Sequence, residues 1–147
     1  MFKKIVWATD GSEAADQALD VATRMASEAG GEVLAVHCVE MTYPGKAAGR
    51  YPVFANEEDM KEKIAHQVKA ISAHGVPAQI QITRTDVGHA ARAIADVARE
   101  QHGEVIVVGT RGRGPAAGLF LGSVTQRLLH TAPCPVLAIP VHNGDRS

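Results

Sequence analysis

The sequence is poor in cysteine, carries almost no net charge and has no long apolar run. Its two cysteines, Cys38 and Cys134, stand far apart, without a Cys-x-x-Cys or Cys/His ligand spacing. That suits a reducing compartment better than a disulfide framework, so a cytoplasmic location is expected. A formal net charge of -1 leaves no broad basic field, and nucleic acid is not an expected partner. No apolar stretch approaches the roughly 18 residues of a membrane span. The N-terminus turns polar at Thr9-Asp10, before a signal-peptide core could form, so no membrane association is expected either. The seven histidines give no metal pattern: His66 and His74 lie eight apart, His102 and His130 stand near helix ends, and His37 falls inside a strand. No paired carboxylates, Ser-His pair or Cys-His pair shows a recognisable spacing, so machinery for strong catalysis is not visible. Cys134, between two prolines and without a basic neighbour, reads as an inert packing thiol.

What is present is a globular mixture, 46% hydrophobic and 21% charged over 147 residues. A chain of this size fits one domain, 1–147, and buries roughly 68–70% of the surface it exposes when unfolded. Lys3 to Ala8 reads as a buried strand ending at Thr9-Asp10-Gly11-Ser12, where Ser12 caps a helix. In that helix Ala15, Ala18, Leu19, Ala22, Met25, Ala26 and Ala29 form one stripe that closes at Gly30-Gly31. Val33 to Val39 lacks polar alternation, as expected of a strand covered on both faces. From Met41 to Ala55 the pattern lapses into a long loop with Pro44, Gly45, Gly49 and Pro52. Asn56 is the expected cap of an acidic helix start with Met60, Ile64, Val68 and Ile71 on its inner face. Ala78 to Thr85 alternates like an outer strand, and Asp86 is the expected cap of a helix with Ala90, Ala91, Ile94, Val97 and Ala98 inside. Glu104 to Gly109, the most apolar strand, belongs at the centre. Ser123 to Gln126 matches a capping box, with Leu128 and Leu129 on the buried side before Pro133-Cys134-Pro135. Val136 to Val141 is the last strand, and 142–147 a polar tail. The order predicts an α/β fold with a parallel sheet and helices on both faces, and ligands in such sheets bind beyond the carboxyl ends of the strands.

The stretch VIVVGTRGRGPAAGLFLGSV, from Val105 to Val124, carries the functional signal. A strand stops at Gly109, Gly112 follows two residues later, and nine more residues lead to Gly122-Ser123 at a helix start. Free backbone N–H groups and a helix dipole meet there, which suits an anion, above all phosphate. Without Gly-Lys-[Ser/Thr] the loop is no Walker A, and it does not match the first-strand GxGxxG fingerprint. Charge neutralisation then falls to main-chain amides, the dipole, and Arg111 or Arg113. A dipole contributes about 0.3–1 kcal/mol, or about 2 when partly buried. A micromolar ligand needs about 8 kcal/mol, so a base and sugar must add contacts. Asp10 is either a turn residue or an acceptor for ribose hydroxyls, whereas for Ser123 both roles hold together, capping the helix in the empty protein and donating to phosphate in the filled one.

Three segments, IVWATDGSEAADQAL, EVIVVGTRGRGPAAGLFLGSVTQRLL and TAPCPVLAIP, make the chain resemble the universal stress protein family over essentially its whole length. In that family the Gly-x2-Gly-x9-Gly-[Ser/Thr] spacing accompanies members that bind ATP. The resemblance implies a Rossmann-like five-stranded parallel sheet of order 3-2-1-4-5, with adenine near the first two strands and phosphates on the glycine loop. It implies that Asp10 meets the ribose, that Val108 lies beside the sugar, and that Gly109, Arg111, Gly112, Gly122, Ser123 and Val124 line the phosphate and ribose region. The adenine-contacting position, usually valine, falls on Cys38, with Val39 the alternative, and Ala8 stands where some members carry proline. The implied ligand is ATP, or AMP or ADP, with any Mg2+ held mainly by the phosphates. The implied partners are a second copy, paired through Val136 to Val141, and a protein that the sequence does not name. A stress-response or signalling regulator is the expected role, with a slow ATP hydrolase or phosphotransferase and a ligand-free dimeric scaffold as alternatives.

Overall fold

In the computed structural model, which describes residues 1–42, 49–110 and 122–141, one sheet holds six strands and carries helices on both faces. The elements run β1 (Lys4–Ala8), α1 (Glu13–Ala29), β2 (Glu32–Thr42), β3 (Tyr51–Pro52), α2 (Glu57–Ala73), β4 (Ala78–Asp86), α3 (Ala90–Glu100), β5 (Val105–Gly109), α4 (Ser123–Thr131) and β6 (Val136–Ile139). The long strands lie in the order β4-β2-β1-β5-β6, all parallel, which is the 3-2-1-4-5 arrangement. The sixth strand is β3, which pairs antiparallel with Met41 and Thr42 because β2 runs six residues beyond its last pairing with β1, at Val36. Met41 pairs with Asp86 of β4 as well as with Pro52, so β3 occupies the side of β2 that β1 has vacated.

Alternation along the strands divides the core cleanly, since successive residues point to opposite faces of a sheet. Ile5, Trp7, Val33, Ala35, Val105 and Val107 pack with the alanine stripe of α1 and with Ile64 and Val68 of α2. Val6, Ala8, Leu34, Val36, Ile106 and Val108 pack with α3 and with Leu128 of α4. The winding explains this division. From β1 to β2 to β4 the chain steps one way across the sheet, and from β4 to β5 to β6 it steps the other way. Right-handed crossovers therefore lay α1 and α2 on one face and α3 and α4 on the other. The reversal opens a crevice between the carboxyl ends of β1 and β5.

Several local expectations change, among them the loop expected from Met41, because β2 runs on through Thr42 and Tyr51–Pro52 pairs with it as β3. Asp86 does not cap α3: it ends β4, pairs with Arg50 at 2.8 Å, and a turn through Gly88, at φ +88°, leads to His89 as the residue before the helix. Ser123 does not cap α4 but is its first residue, because Gly122 takes the extended cap position and its carbonyl accepts from Gln126 N. Leu129 is 52% exposed, because Thr125 and Leu128 occupy the inward positions of that short helix. The last strand stops at Ile139, where Pro140 withdraws a backbone donor. Asn56 precedes α2 without a side-chain capping bond. The 142–147 tail lies outside the described residues.

Trp7 fastens β1 to α1: the ring is fully buried and its Nε1 donates to the Ala15 carbonyl at 2.9 Å. Trp7→Ala removes the largest buried side chain of that face and should cost about 3–5 kcal/mol in urea unfolding. A loss below about 1 kcal/mol would contradict this packing.

Candidate functional site

Every candidate position that the structure describes lies at the carboxyl edge of the sheet. Ala8 and Val108 are register partners across β1 and β5, both buried against the α3/α4 face. Their side chains are packing, and the backbone beyond them turns into the crevice. After Ala8 the chain makes two side-chain-locked turns: Gly11 N donates to Thr9 Oγ1 at 3.1 Å, and Ser12 N donates to Asp10 Oδ1 at 3.0 Å. Ser12 then caps α1, its hydroxyl accepting from Ala15 N at 3.3 Å. Asp10 is thus held as a turn residue, half-buried at the strand end.

On the far side of the crevice Thr110 N donates to Ile139 O at 3.1 Å, and Gly122 N donates to Thr110 O at 2.7 Å. Both ends of the 111–121 segment are therefore pinned beside each other. Arg111, Gly112 and Arg113 lie outside the described residues. Thr125, buried in the first turn of α4, donates from Oγ1 to Gly109 O at 2.8 Å and locks the helix start onto the end of β5. The first intrahelical bond of α4 is Gln126 N to Gly122 O, so the N–H groups of Ser123, Val124 and Thr125 precede the ladder and face the N-terminal end. Ser123 is exposed there, and Val124 is half-buried against the α3/α4 core.

The two described glycines of the loop pattern serve different purposes. A Cβ on Gly109 would stand 2.8 Å from the Ala14 carbonyl oxygen and 2.9 Å from its carbon, so Gly109 is bare to let α1 approach β5. Among the described residues a Cβ on Gly122 would meet only Thr110 O, at 3.4 Å, and its φ of -61° is open to any residue. Packing against the described residues does not require glycine at 122.

Cys38 and Val39 face opposite ways. Cys38 is half-buried toward the α3/α4 face, next to Thr83 in register, whereas Val39 is 1% exposed on the other side. Burial pushes the Cys38 thiol up to about 12, reinforced by the charges of Glu40 and Glu57. It is a neutral, weakly polar wall residue, not a nucleophile. Burial also raises the Cys134 thiol. Nearby, Glu40 accepts from Gly88 N at 2.7 Å and ties the end of β2 to the turn before α3. Among the described residues, no group of three or more His, Cys, Asp and Glu side chains is placed to hold a metal ion. No described helix is long and apolar enough to cross a membrane.

Sequence inspection passes over one polar cluster beneath this edge. His37 is fully buried, with Nδ1 2.9 Å from the Thr9 carbonyl oxygen and Nε2 2.6 Å from Glu57 Oε2. The signal was a histidine in the middle of an apolar strand buried on both faces, which requires a partner somewhere in the fold. Lys63 of α2 adds a bond to Gly11 O at 2.7 Å and an ion pair with Asp16 at 2.8 Å.

The two glycine roles separate by experiment. Gly109→Ala should lower unfolding stability by about 1–3 kcal/mol through overpacking against Ala14. Gly122→Ala should cost no more than about 1 kcal/mol, the difference between these residues as helix caps. Equal losses at the two positions would reject the distinction.

Comparison with known proteins agrees with this architecture. The family model described as "Universal stress protein family" matches residues 1–140. A universal stress protein of Thermus aquaticus is 37% identical over 145 residues, covering 95% of this chain and 99% of that protein. A crystal structure of a family protein from Burkholderia pseudomallei, 29% identical, superposes with TM-score 0.66 over 95% of this chain and 97% of that one. A universal stress protein from Archaeoglobus fulgidus in complex with dAMP has the same fold at 23% identity, with TM-score 0.66 over 95% of this chain and 98% of that one. The family match over residues 1–140 and the Thermus relative agree, and this chain belongs to the universal stress protein family.

Proposed function

We propose that this protein binds an adenine nucleotide, with ATP the first candidate and AMP or ADP as alternatives, at the crevice between the ends of β1 and β5, and that it works as a nucleotide-dependent regulator in the cytoplasm. The observation that carries the reading is Gly122: its backbone is pinned to Thr110, among the described residues its Cβ position meets one carbonyl alone, and it opens α4 within the Gly-x2-Gly-x9-Gly-Ser spacing. Phosphate oxygens there would meet the N–H groups of Ser123 and Val124 and the Ser123 hydroxyl, with Arg111, Gly112 and Arg113 contributed by the connecting segment. The Asp10 carboxylate, at the end of β1, is the acceptor proposed for ribose hydroxyls, and the base would lie against Cys38 beyond Ala8. Of the two β2 candidates, Cys38 is the one whose side chain borders the edge, because Val39 is buried on the other face. The Archaeoglobus protein bound to dAMP supports a nucleotide on this fold, while the placement proposed for this chain rests on its own residues. A Mg2+ ion, where present, would be held by the phosphates, since the described residues offer no cluster of ligands for it.

The reading is of binding, not turnover. The buried imidazole–carboxylate pair of His37 and Glu57 is engaged with the Thr9 backbone and is closed to a substrate. A signal would instead arise as occupancy changes the surface presented by the 41–55 and glycine-loop segments to a protein partner. The test is mass analysis of nucleotide released on denaturing freshly purified protein, with calorimetry of added ATP and AMP. Wild type should carry or bind an adenylate, and Gly122→Val should lose it while keeping its fold. Protein that is empty and also silent to both ligands rules the reading out.

The outer edge of β6, bearing Leu137 at 39% exposure, is the proposed contact for a second copy, strand against strand. Sedimentation should show a dimer that Leu137→Lys weakens. A wild-type monomer at tens of micromolar, roughly the range of weak assembly, would refute it.

A further inference from the structure

The His37–Glu57 pair has a geometry that fixes its proton inventory. A carbonyl oxygen has no hydrogen to give, so the 2.9 Å contact to Thr9 O requires that His37 Nδ1 donates. The 2.6 Å contact between Nε2 and Glu57 Oε2 then holds one further proton between two buried groups. Whether it resides on nitrogen or oxygen, the pair is neutral as a unit, which makes its burial tolerable. Removing the carboxylate charge leaves the imidazole without its counterpart.

The pair joins three pieces of backbone. His37 belongs to β2, Thr9 to the turn after β1, and Glu57 to the first residue of α2, where the connection from β2 returns to the core. The last ladder bond between β1 and β2 is Thr9 N to Val36 O, and on the same side of Thr9 the imidazole takes the carbonyl. The same turn is held again by α2: Lys63 binds Gly11 O, and Met60 fills the space where Gly11, at φ +83°, has no side chain. Asp10 stands between these two clamped residues. On the strand's other face the next residue, Cys38, borders the edge.

We propose that His37 and Glu57 are positioning residues for the nucleotide site, fixing the Thr9 carbonyl and with it the Asp10 carboxylate, and coupling nucleotide occupancy to the head of α2. This deepens the nucleotide reading above and rests on it. The signal route is short: a ligand that pulls on Asp10 shifts the Thr9 carbonyl, the imidazole follows, and Glu57 carries the change to the exit of the connection from β2.

The experiment uses full-length 15N-labelled protein, with the His37 ring signals assigned by their loss in His37→Gln. ATP at saturation, confirmed by calorimetry, should shift those ring nitrogens although the ring is buried away from the ligand. Glu57→Gln keeps the size and a hydrogen-bonding end group but removes the charge, and should weaken ATP binding about tenfold, as is common for groups that orient a ligating residue. Glu58→Gln, whose side chain is 87% exposed, is the control and should bind like wild type. If wild type binds ATP but its ring signals stay put, or if folded Glu57→Gln binds within twofold of wild type, the positioning role is overturned and the nucleotide reading stands. If wild type binds neither ATP nor AMP, the nucleotide reading itself fails and takes this inference with it. Should Glu57→Gln not fold, the ring signals of the wild type decide alone.

Discussion

Strand β1 is enclosed on every side, and the rest of the molecule is arranged around that enclosure. It has β2 on one edge and β5 on the other, and Ile5, Val6 and Trp7 are fully buried. A strand with no free edge and no free face can end in only one useful way, by delivering its next residues to the rim of the sheet. The reversal of winding happens beside it, so the crossovers that would otherwise cover that rim part to either side. Thr9 and Asp10 emerge there because Trp7 and its neighbours are immovable.

A site made at such a rim depends more on backbone than on side chains. Thr110 and Gly122 are joined by a main-chain bond, and Thr125 secures α4 to Gly109 through another carbonyl. None of these contacts needs a charged residue. The amides of α4 are consequently held by the sheet rather than by a ligand, and an anion arriving there meets donors already in place. Small dipolar contributions become useful when no energy is spent on ordering the groups that supply them.

Much of this was legible in the chain itself. The strands announced themselves as apolar runs, and the alanine stripe of α1 gave its packed face, because burial on both sides leaves a plain hydrophobic signature. The sheet order came from the family resemblance and agrees with the winding. What stayed hidden was set by contacts between distant residues. Asp86 read as a helix cap, but nine paired positions along β2 draw it into β4. Ser123 matched a capping box, yet the bond from Gly122 to Thr110 sets the helix boundary one residue earlier. The packing demand on Gly109 was hidden as well, since only the approach of Ala14 shows that a side chain there would collide with α1. The link between His37 and Glu57 spans twenty positions and has no sequence pattern beyond one polar residue in an apolar strand.

The short strand β3 has a consequence for how this molecule can vary. Val53 N donates to Glu40 O at 2.9 Å and Val87 N donates to Met41 O at 3.0 Å, so the tip of β2 is stitched on both flanks. The polypeptide leaves that tip at Thr42 and comes back to it at Tyr51, a departure and return that share one anchorage. A change of length between those two points leaves the Met41–Pro52 and Thr42–Tyr51 pairings in place to hold the flanks. That makes the tip a natural place for relatives to diverge, or for an engineer to graft a reporter at the doorstep of the crevice.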